Sequence, residues 1–352
     1  MRKMIGGAMV ILLAGTAARA DVTWVHQVKS GGFKGWGASA GTVVRRLSGT
    51  DSREENLGKM TGAVLGKITR ASDRATLIRV DPGVIDRLDI RHKTYEETSL
   101  AQIQQMKQKA ENSAAQPPRE AGPPTHKITR TEFKVTFTGA SKAINGFPCK
   151  QYLVEMLVEI EDLKTHDKSR MRMVTTLWTT PETAAMKQAR REEQVFAEAY
   201  LKKLGMDLSP QETARFGAAM MAQLSGAAEK DLDKALARAA QEMKKVSGYP
   251  VVTRVDWHME GAESAKAPAS QATAPASAAE EPVDVTHGVS GALGGLASNW
   301  AKKATKSMED RQQAQAGKPL FSFTSELQEL SLDAIPATEF SVPVDFKKIV
   351  RE

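Results

Sequence analysis

The stretch YLVEMLVEI (Tyr152–Ile160) decides the fold class, because its side chains follow a two-residue period. The even positions are all apolar, whereas the odd positions mix leucine with glutamate. A period of two predicts a β-strand with one buried face. A turn signal, Gly146–Pro148, precedes the stretch, and Phe133–Thr138 alternates in the same way before that turn. The centre of the chain is therefore predicted to be a sheet.

The same alternation predicts strands along most of the remaining chain. They are expected at Val22–Val28, Thr42–Glu55, Arg74–Asp81, Ile85–Thr98, Arg170–Thr180, Val251–Met259, Phe321–Leu332 and Phe340–Ile349. Leu100–Glu111 has weak helical spacing, and no βαβ rhythm is present. These features predict an α+β fold, with an antiparallel sheet of about eight to ten strands and helices on one face.

A helical insertion and a linker interrupt the strands. Residues 182–246 are rich in Ala, Met, Glu and Lys, and a capping box at Ser209–Glu212 starts a second helix within them. Residues 262–318 begin with an Ala/Pro/Ser stretch of low complexity, whose small and polar residues cannot form a packed core. This predicts a flexible linker. We therefore expect one domain, formed by residues 21–261 and completed by strands in 319–352.

Residues 1–20 have the three parts of a secretory signal peptide: basic residues, a short apolar run and the small-x-small site Ala18-Arg19-Ala20. The alternative, a membrane anchor, would need an apolar run about twice as long. Cleavage after Ala20 removes three basic residues and no acidic one, so the net charge falls from +7 to +4. The residue directly after the site is Asp21 and not a cysteine, so lipidation is not expected. The prediction is export to the periplasm, where nucleic acid is not an expected partner.

Five short motifs occur along the chain: Lys93-Thr94-Tyr95, Asn145–Tyr152 (a G-x-x-C-x-x-Y strand entry), Thr176–Pro181, Gly248–Val251, and the closing segment Ile335–Phe340 with Val342-Pro343 and Phe346–Lys348. Together they resemble the exported bacterial proteins of domain-of-unknown-function family 4412. That family is similar to the lipoprotein-carrier superfamily. The resemblance implies a curved sheet or half-barrel under a helical lid, and it carries over no catalytic residue.

Candidate chemistry is sparse. The six histidines lack metal-ligand spacing, so no metal site is predicted. Asp81, Asp86 and Asp89 are interpreted as a solvated turn rather than as paired carboxylates, and Cys149 as a small buried hydrophobe rather than as a nucleophile. Neither a nucleophile elbow nor a phosphate-binding glycine loop is present, so no cofactor and no enzymatic activity are expected.

The predicted function is binding of an apolar or lipid-like ligand between the sheet and the helices. The candidate cavity residues are Trp24, Phe133, Phe137, Tyr152, Trp178, Trp257, Met220 and Met221. An ordinary core built from the same residues is the structural alternative. The functional alternative is an envelope structural or protein-interaction module. Its candidate contact to a partner or an anionic membrane is an interfacial helix with Trp300, Lys302, Lys303 and Lys306, although the stretch itself favours a solvated linker helix.

Overall fold

Twelve strands and three helical segments make up the described part of the chain. The computed structural model describes residues 20–31, 38–61, 72–114, 126–206, 237–260 and 319–350. The strands are β1 (Val22–Ser30), β2 (Ser39–Ser48), β3 (Asp51–Met60), β4 (Ser72–Arg79), β5 (Val84–Asp89), β6 (Thr94–Ser99), β7 (His126–Ile144), β8 (Phe147–Asp162), β9 (Lys168–Thr180), β10 (Tyr249–Glu260), β11 (Phe321–Ser331) and β12 (Lys347–Lys348). The helices are α1 (Leu100–Ala114), α2 (Ala184–Lys203) and residues 237–243. A 3₁₀ turn covers Ala337–Phe340.

All twelve strands belong to one sheet, in the order β12-β6-β5-β4-β3-β2-β1-β11-β10-β9-β8-β7. Every pair is antiparallel except β12 with β6. Strand β11 lies between β1 and β10, so it joins the N-terminal strands to the central ones. The fold is thus α+β with one large mixed sheet, and within the described residues the sheet does not close.

The sheet has more strands than the eight to ten expected, because two predicted strands are hairpins. The stretch Thr42–Glu55 reverses at Gly49, which has a φ of +56° and separates β2 from β3. The stretch Ile85–Thr98 reverses before Lys93, which has a φ of +52° although it is not a glycine. The Asp89 carboxylate accepts the His92 N–H at 3.0 Å and thereby supports this second turn. A turn without glycine or proline is difficult to recognise from the sequence.

The two faces of the sheet carry separate apolar clusters. On one face, Trp24 and Leu47 form a buried cluster that includes Ala189 and Phe196 of α2. We call this face the Trp24 face. On β4, the neighbours Leu77 and Ile78 point to opposite faces. Ile78 packs against a cluster that contains residues of α1 and of the end of α2, whereas Leu77 packs beneath the C-terminal segment 342–346.

Several predicted segments lie outside the described residues. They are the signal peptide core, the helix that begins at the Ser209–Glu212 capping box, and the linker 262–318 with its Trp300–Lys306 stretch. Met220 and Met221 are also outside the described part of the chain.

Candidate functional site: an apolar patch on the Trp24 face

The strand register places five large apolar side chains in one row across five strands. The Cα partners are Phe133 with Met156, Met156 with Met173, Met173 with Trp257, and Trp257 with Phe321. Directly paired residues project to the same side of a sheet. Because neighbouring strands lie about 4.8 Å apart, the row is about 19 Å long. We call it the aromatic–methionine row.

The row lies on the same face as Trp24. Strand β1 alternates regularly against β2, so Val28 shares the face of Trp24. Val28 pairs with Ser325, and Ser325 pairs with Thr253. Trp257 lies four residues beyond Thr253 on β10 and therefore projects to the same side. The row and the α2-containing cluster consequently share one surface of the sheet.

Two parallel rows widen the apolar area on either side. One consists of Thr131, Val158, Met171 and Met259, and the other of Val135, Val154, Thr175, Val255 and Phe323. Each is about 6.8 Å from the central row, the distance between alternate residues of a strand. We call the three rows the apolar patch. Its valines at positions 135, 154, 158 and 255 are buried, whereas Met259 is 37% exposed and the other methionines are half-buried.

The structure distributes the sequence-predicted cavity residues over several places. Phe133 and Trp257 lie in the aromatic–methionine row. Tyr152 and Phe137 pair with each other two rows away, beyond Val135 and Val154, with ring centroids 5.4 Å apart, and Phe137 is 53% exposed. Trp24 is buried in the α2-containing cluster.

Trp178 is separated from Tyr152 on the sheet. Its neighbour Leu177 pairs with Tyr152 and Thr253, so alternation directs Trp178 to the side of β9 opposite to Leu177. The Lys142 ammonium lies 4.4 Å from the centroid of its indole ring. Trp178 is half-buried against the α2-containing cluster, which includes Trp24 as well as Cys149 and Leu327. The described cavity residues thus form two groups: Phe133, Phe137, Tyr152 and Trp257 on β7, β8 and β10, and Trp24 and Trp178 at the α2-containing cluster.

The chain that follows residues 237–243 is fastened beside the apolar patch. Val246 packs against Val135, Tyr152 and Val154. A Glu242 Oε2 atom accepts the Val135 N–H at 3.0 Å, and the Tyr152 and Ser247 hydroxyls lie 2.9 Å apart. Hydrogen bonds from Lys245 and from the Val135 N–H lower the pKa of the Glu242 carboxyl. These contacts fix the helical segment at the edge strand β7.

A polar cluster borders the patch on the side of α2. The Trp24 Nε1 atom donates to the Tyr249 hydroxyl at 3.0 Å, and the Arg45 guanidinium lies 5.4 Å from the Trp24 ring centroid. Arg45 also forms an ion pair with Glu193 of α2. The His26 Nδ1 atom is 3.1 Å from the Ser325 hydroxyl.

The protonation of His26 depends on this cluster. Burial lowers the pKa of His26, the positive charge of Arg45 lowers it further, and Glu193 opposes both effects. Neutral imidazole is therefore favoured at the sheet surface beneath α2.

The candidate nucleophile and the candidate carboxylates of the sequence analysis do not belong to the apolar patch. Cys149 is buried, its Sγ donates to the Phe147 carbonyl at 3.3 Å, and burial raises the pKa of its thiol. The solvated-turn interpretation is wrong for Asp86, which is fully buried within β5 and bonded to Arg79; burial raises its pKa. Asp89 bonds to His92 at an exposed turn, and Asp81 bonds to Thr50. Among the described residues, no group of three or more His, Cys, Asp or Glu side chains has the geometry to hold a metal ion.

No family model matches the chain. No curated protein matches it either. The resemblance to domain-of-unknown-function family 4412 therefore stays a prediction that rests on its short motifs. Within the described ranges, none of the helices combines the length and apolarity that crossing a membrane requires.

The sequence-based list of cavity residues includes Met220 and Met221 of the helical insertion but no methionine of the strands. Met156 and Met259 each fit the two-residue period of their own strand, so the face to which each projects can be predicted from the sequence. Met171, Met173 and Phe321 were not singled out, because only the pairing of β9 with both β8 and β10, and of β10 with β11, brings these side chains together.

Proposed function

We propose that this chain is an exported, non-enzymatic binding protein that holds an apolar or lipid-like ligand. In this proposal the sheet curves into a half-barrel, the apolar patch is the ligand surface, and the helical elements form a lid. The observation that carries it is the aromatic–methionine row: five strands present aromatic or methionine side chains at one level of one face. Methionine supports such a surface because its flexible thioether adapts to irregular apolar partners.

The dimensions of the row suit an extended hydrocarbon chain. A ligand that lies along about 19 Å of sheet and loses about 200–300 Å² of its own apolar surface gains about 5–8 kcal/mol. Association costs several kcal/mol of that gain. Reversible holding and release are therefore expected rather than permanent capture.

Two sets of contacts support the lid. Ala189 and Phe196 of α2 share a buried cluster with Trp24, and the Arg45–Glu193 ion pair reaches from the sheet to the same helix. At the other side, Val246 and Glu242 fasten the chain around residues 237–243 to β7. A ligand on the apolar patch would lie between these two attachments.

Photo-crosslinking tests the proposal directly. The mature protein, starting at Asp21, is incubated with a fatty acid that carries a diazirine on its acyl chain, illuminated and digested, and the labelled residues are identified by mass spectrometry. We expect label at Met156, Met173 and Trp257, with competition by unlabelled fatty acid. The matched controls are Leu157 and Val174, which neighbour these residues on β8 and β9 but project to the opposite face.

Label spread equally over both faces, or the absence of competable label, would contradict the proposal. The second result would favour the alternative of an envelope interaction module without a small-molecule ligand.

A further inference from the structure

One carboxylate interrupts the buried stripe of α2. The buried side chains of this helix are Met186, Ala189, Glu192 and Phe196, at the three- and four-residue spacing of a single face. Glu192 is only 7% exposed. A carboxylate at such a position is costly unless a cation or several hydrogen bonds compensate for its lost hydration.

The partners of Glu192 are neutral in the uncleaved chain. Its Oε1 atom accepts the Ala20 backbone N–H at 3.4 Å and a hydrogen bond from the Gln188 amide. Within the described ranges, Glu192 forms no ion pair with a lysine, arginine or histidine. The buried carboxylate thus faces the backbone at the expected processing site.

The fold holds residue 21 firmly at this place. Val22 is fully buried and pairs with Leu47 at the start of β1. The Asp21 carboxylate accepts the Ile335 N–H at 2.6 Å. The burial of Val22 and the hydrogen bond from Ile335 therefore hold Asp21 in place. Asp21 is the residue that becomes the N-terminus after cleavage between Ala20 and Asp21.

We propose that Glu192 is the binding site for the α-ammonium group created by signal-peptide cleavage. A signal peptidase would hydrolyse the Ala20–Asp21 bond: water adds across the amide, Ala20 leaves as a carboxylate, and Asp21 gains an amine that takes up a proton. Loss of Ala20 removes one of the two hydrogen bonds to the Glu192 Oε1 atom and leaves that from Gln188. The new ammonium lies one residue along the chain, where consecutive Cα atoms are about 3.8 Å apart. A buried charge without a cation becomes an ion pair.

The consequence is that an ion pair joins α2 to the start of β1 only in the cleaved form. In the uncleaved chain α2 is already held by its apolar cluster with Trp24 and by the Arg45–Glu193 ion pair. Cleavage would add a second ion pair at the adjacent residue. This inference depends on cleavage after Ala20 and not on any ligand.

A double-mutant cycle tests the pairing. The four proteins combine Glu192 or Glu192→Gln with one of two N-termini, Asp21 itself or Asp21 preceded by Gly-Ser-Gly-Ser, which lets the ammonium move up to about 13 Å away. We expect Glu192→Gln to lower the melting temperature of the Asp21-terminated protein and to leave that of the extended protein unchanged or higher. Equal changes in both backgrounds would overturn the proposal.

The proton affinity of the α-amine provides a second readout that does not depend on overall stability. The ammonium pairs with a carboxylate, so its pKa should rise above the ordinary 7.7–8.0, with at least about tenfold tighter proton binding. The pH dependence of acylation of the N-terminal amine measures this, and Glu192→Gln should abolish the rise. An unshifted amine in the Glu192 protein, or an exported protein whose mass shows a start other than Asp21, would contradict the inference.

Discussion

Truncation of Met173 to alanine tests whether the aromatic–methionine row contacts a ligand. Met173 occupies the middle of the row, between Met156 and Trp257, and is half-buried. Full burial of a methionine side chain contributes about 1.5–3 kcal/mol. A ligand would complete roughly half of that burial, so Met173→Ala should weaken binding by about 0.8–1.5 kcal/mol, which is about four- to twelvefold in Kd.

The control is Val174→Ala, one residue further along β9 and on the opposite face, between Glu155 and Asp256. Displacement of a fluorescent fatty acid measures the Kd of both variants, and thermal melting shows whether each remains folded. We expect less than a twofold change for Val174→Ala. Equal weakening by the two substitutions, or no weakening by Met173→Ala in a folded protein that binds the probe, would refute the assignment of this face.

Three further predictions concern stability. Phe196→Ala should lower the free energy of unfolding by about 3–5 kcal/mol in urea denaturation because Phe196 is buried against Trp24, whereas Val195→Ala on the exposed side should cost less than about 1 kcal/mol. The pKa of His26 is below 6.5 in the folded chain, so the contribution of neutral His26 to the free energy of unfolding is lost as the pH falls from 6.5 toward the pKa of the folded chain. His26→Gln should therefore flatten the pH dependence of the free energy of unfolding between pH 7 and 5. An unchanged slope would argue against this role of His26. Hydrogen bonds from Thr129 and Arg170 lower the pKa of Glu159 to about 2, so the contribution of its carboxylate to the free energy of unfolding is present above pH 4.5 and lost toward pH 2. Glu159→Gln should therefore reduce the loss of stability in acid. Urea midpoints at pH 5 and pH 3 measure this.

The strands themselves could be predicted because each carries its own two-residue period. The stretch Tyr152–Ile160 falls within β8, and Val251–Met259 falls within β10. Helix α1 also begins at Leu100, as the weak helical spacing indicated. The hairpin turn before Lys93 was not predictable, because no glycine or proline marks it and side-chain bonds such as that of Asp89 stabilise it locally.

The candidate site was predictable only in part. Aromatic residues such as Phe133 and Trp257 could be assigned to strand faces from alternation alone. Their arrangement in one row depends on the register of four strand pairs, and a one-residue slip would move a whole strand's set to the other face. The buried position of Glu192 beside Ala20 depends on a contact between residues 172 positions apart, which no local pattern reveals.

The most direct test of ligand binding is lipid mass spectrometry of the purified protein. The chain is purified without detergent, denatured and extracted, and the extract is compared with that of a Met173→Glu variant, which places a carboxylate in the centre of the apolar patch. The account predicts an apolar ligand in near-stoichiometric amount from the wild-type protein and a loss of most of it from the variant. A wild-type protein that is empty and also fails to bind a fluorescent fatty acid would contradict it.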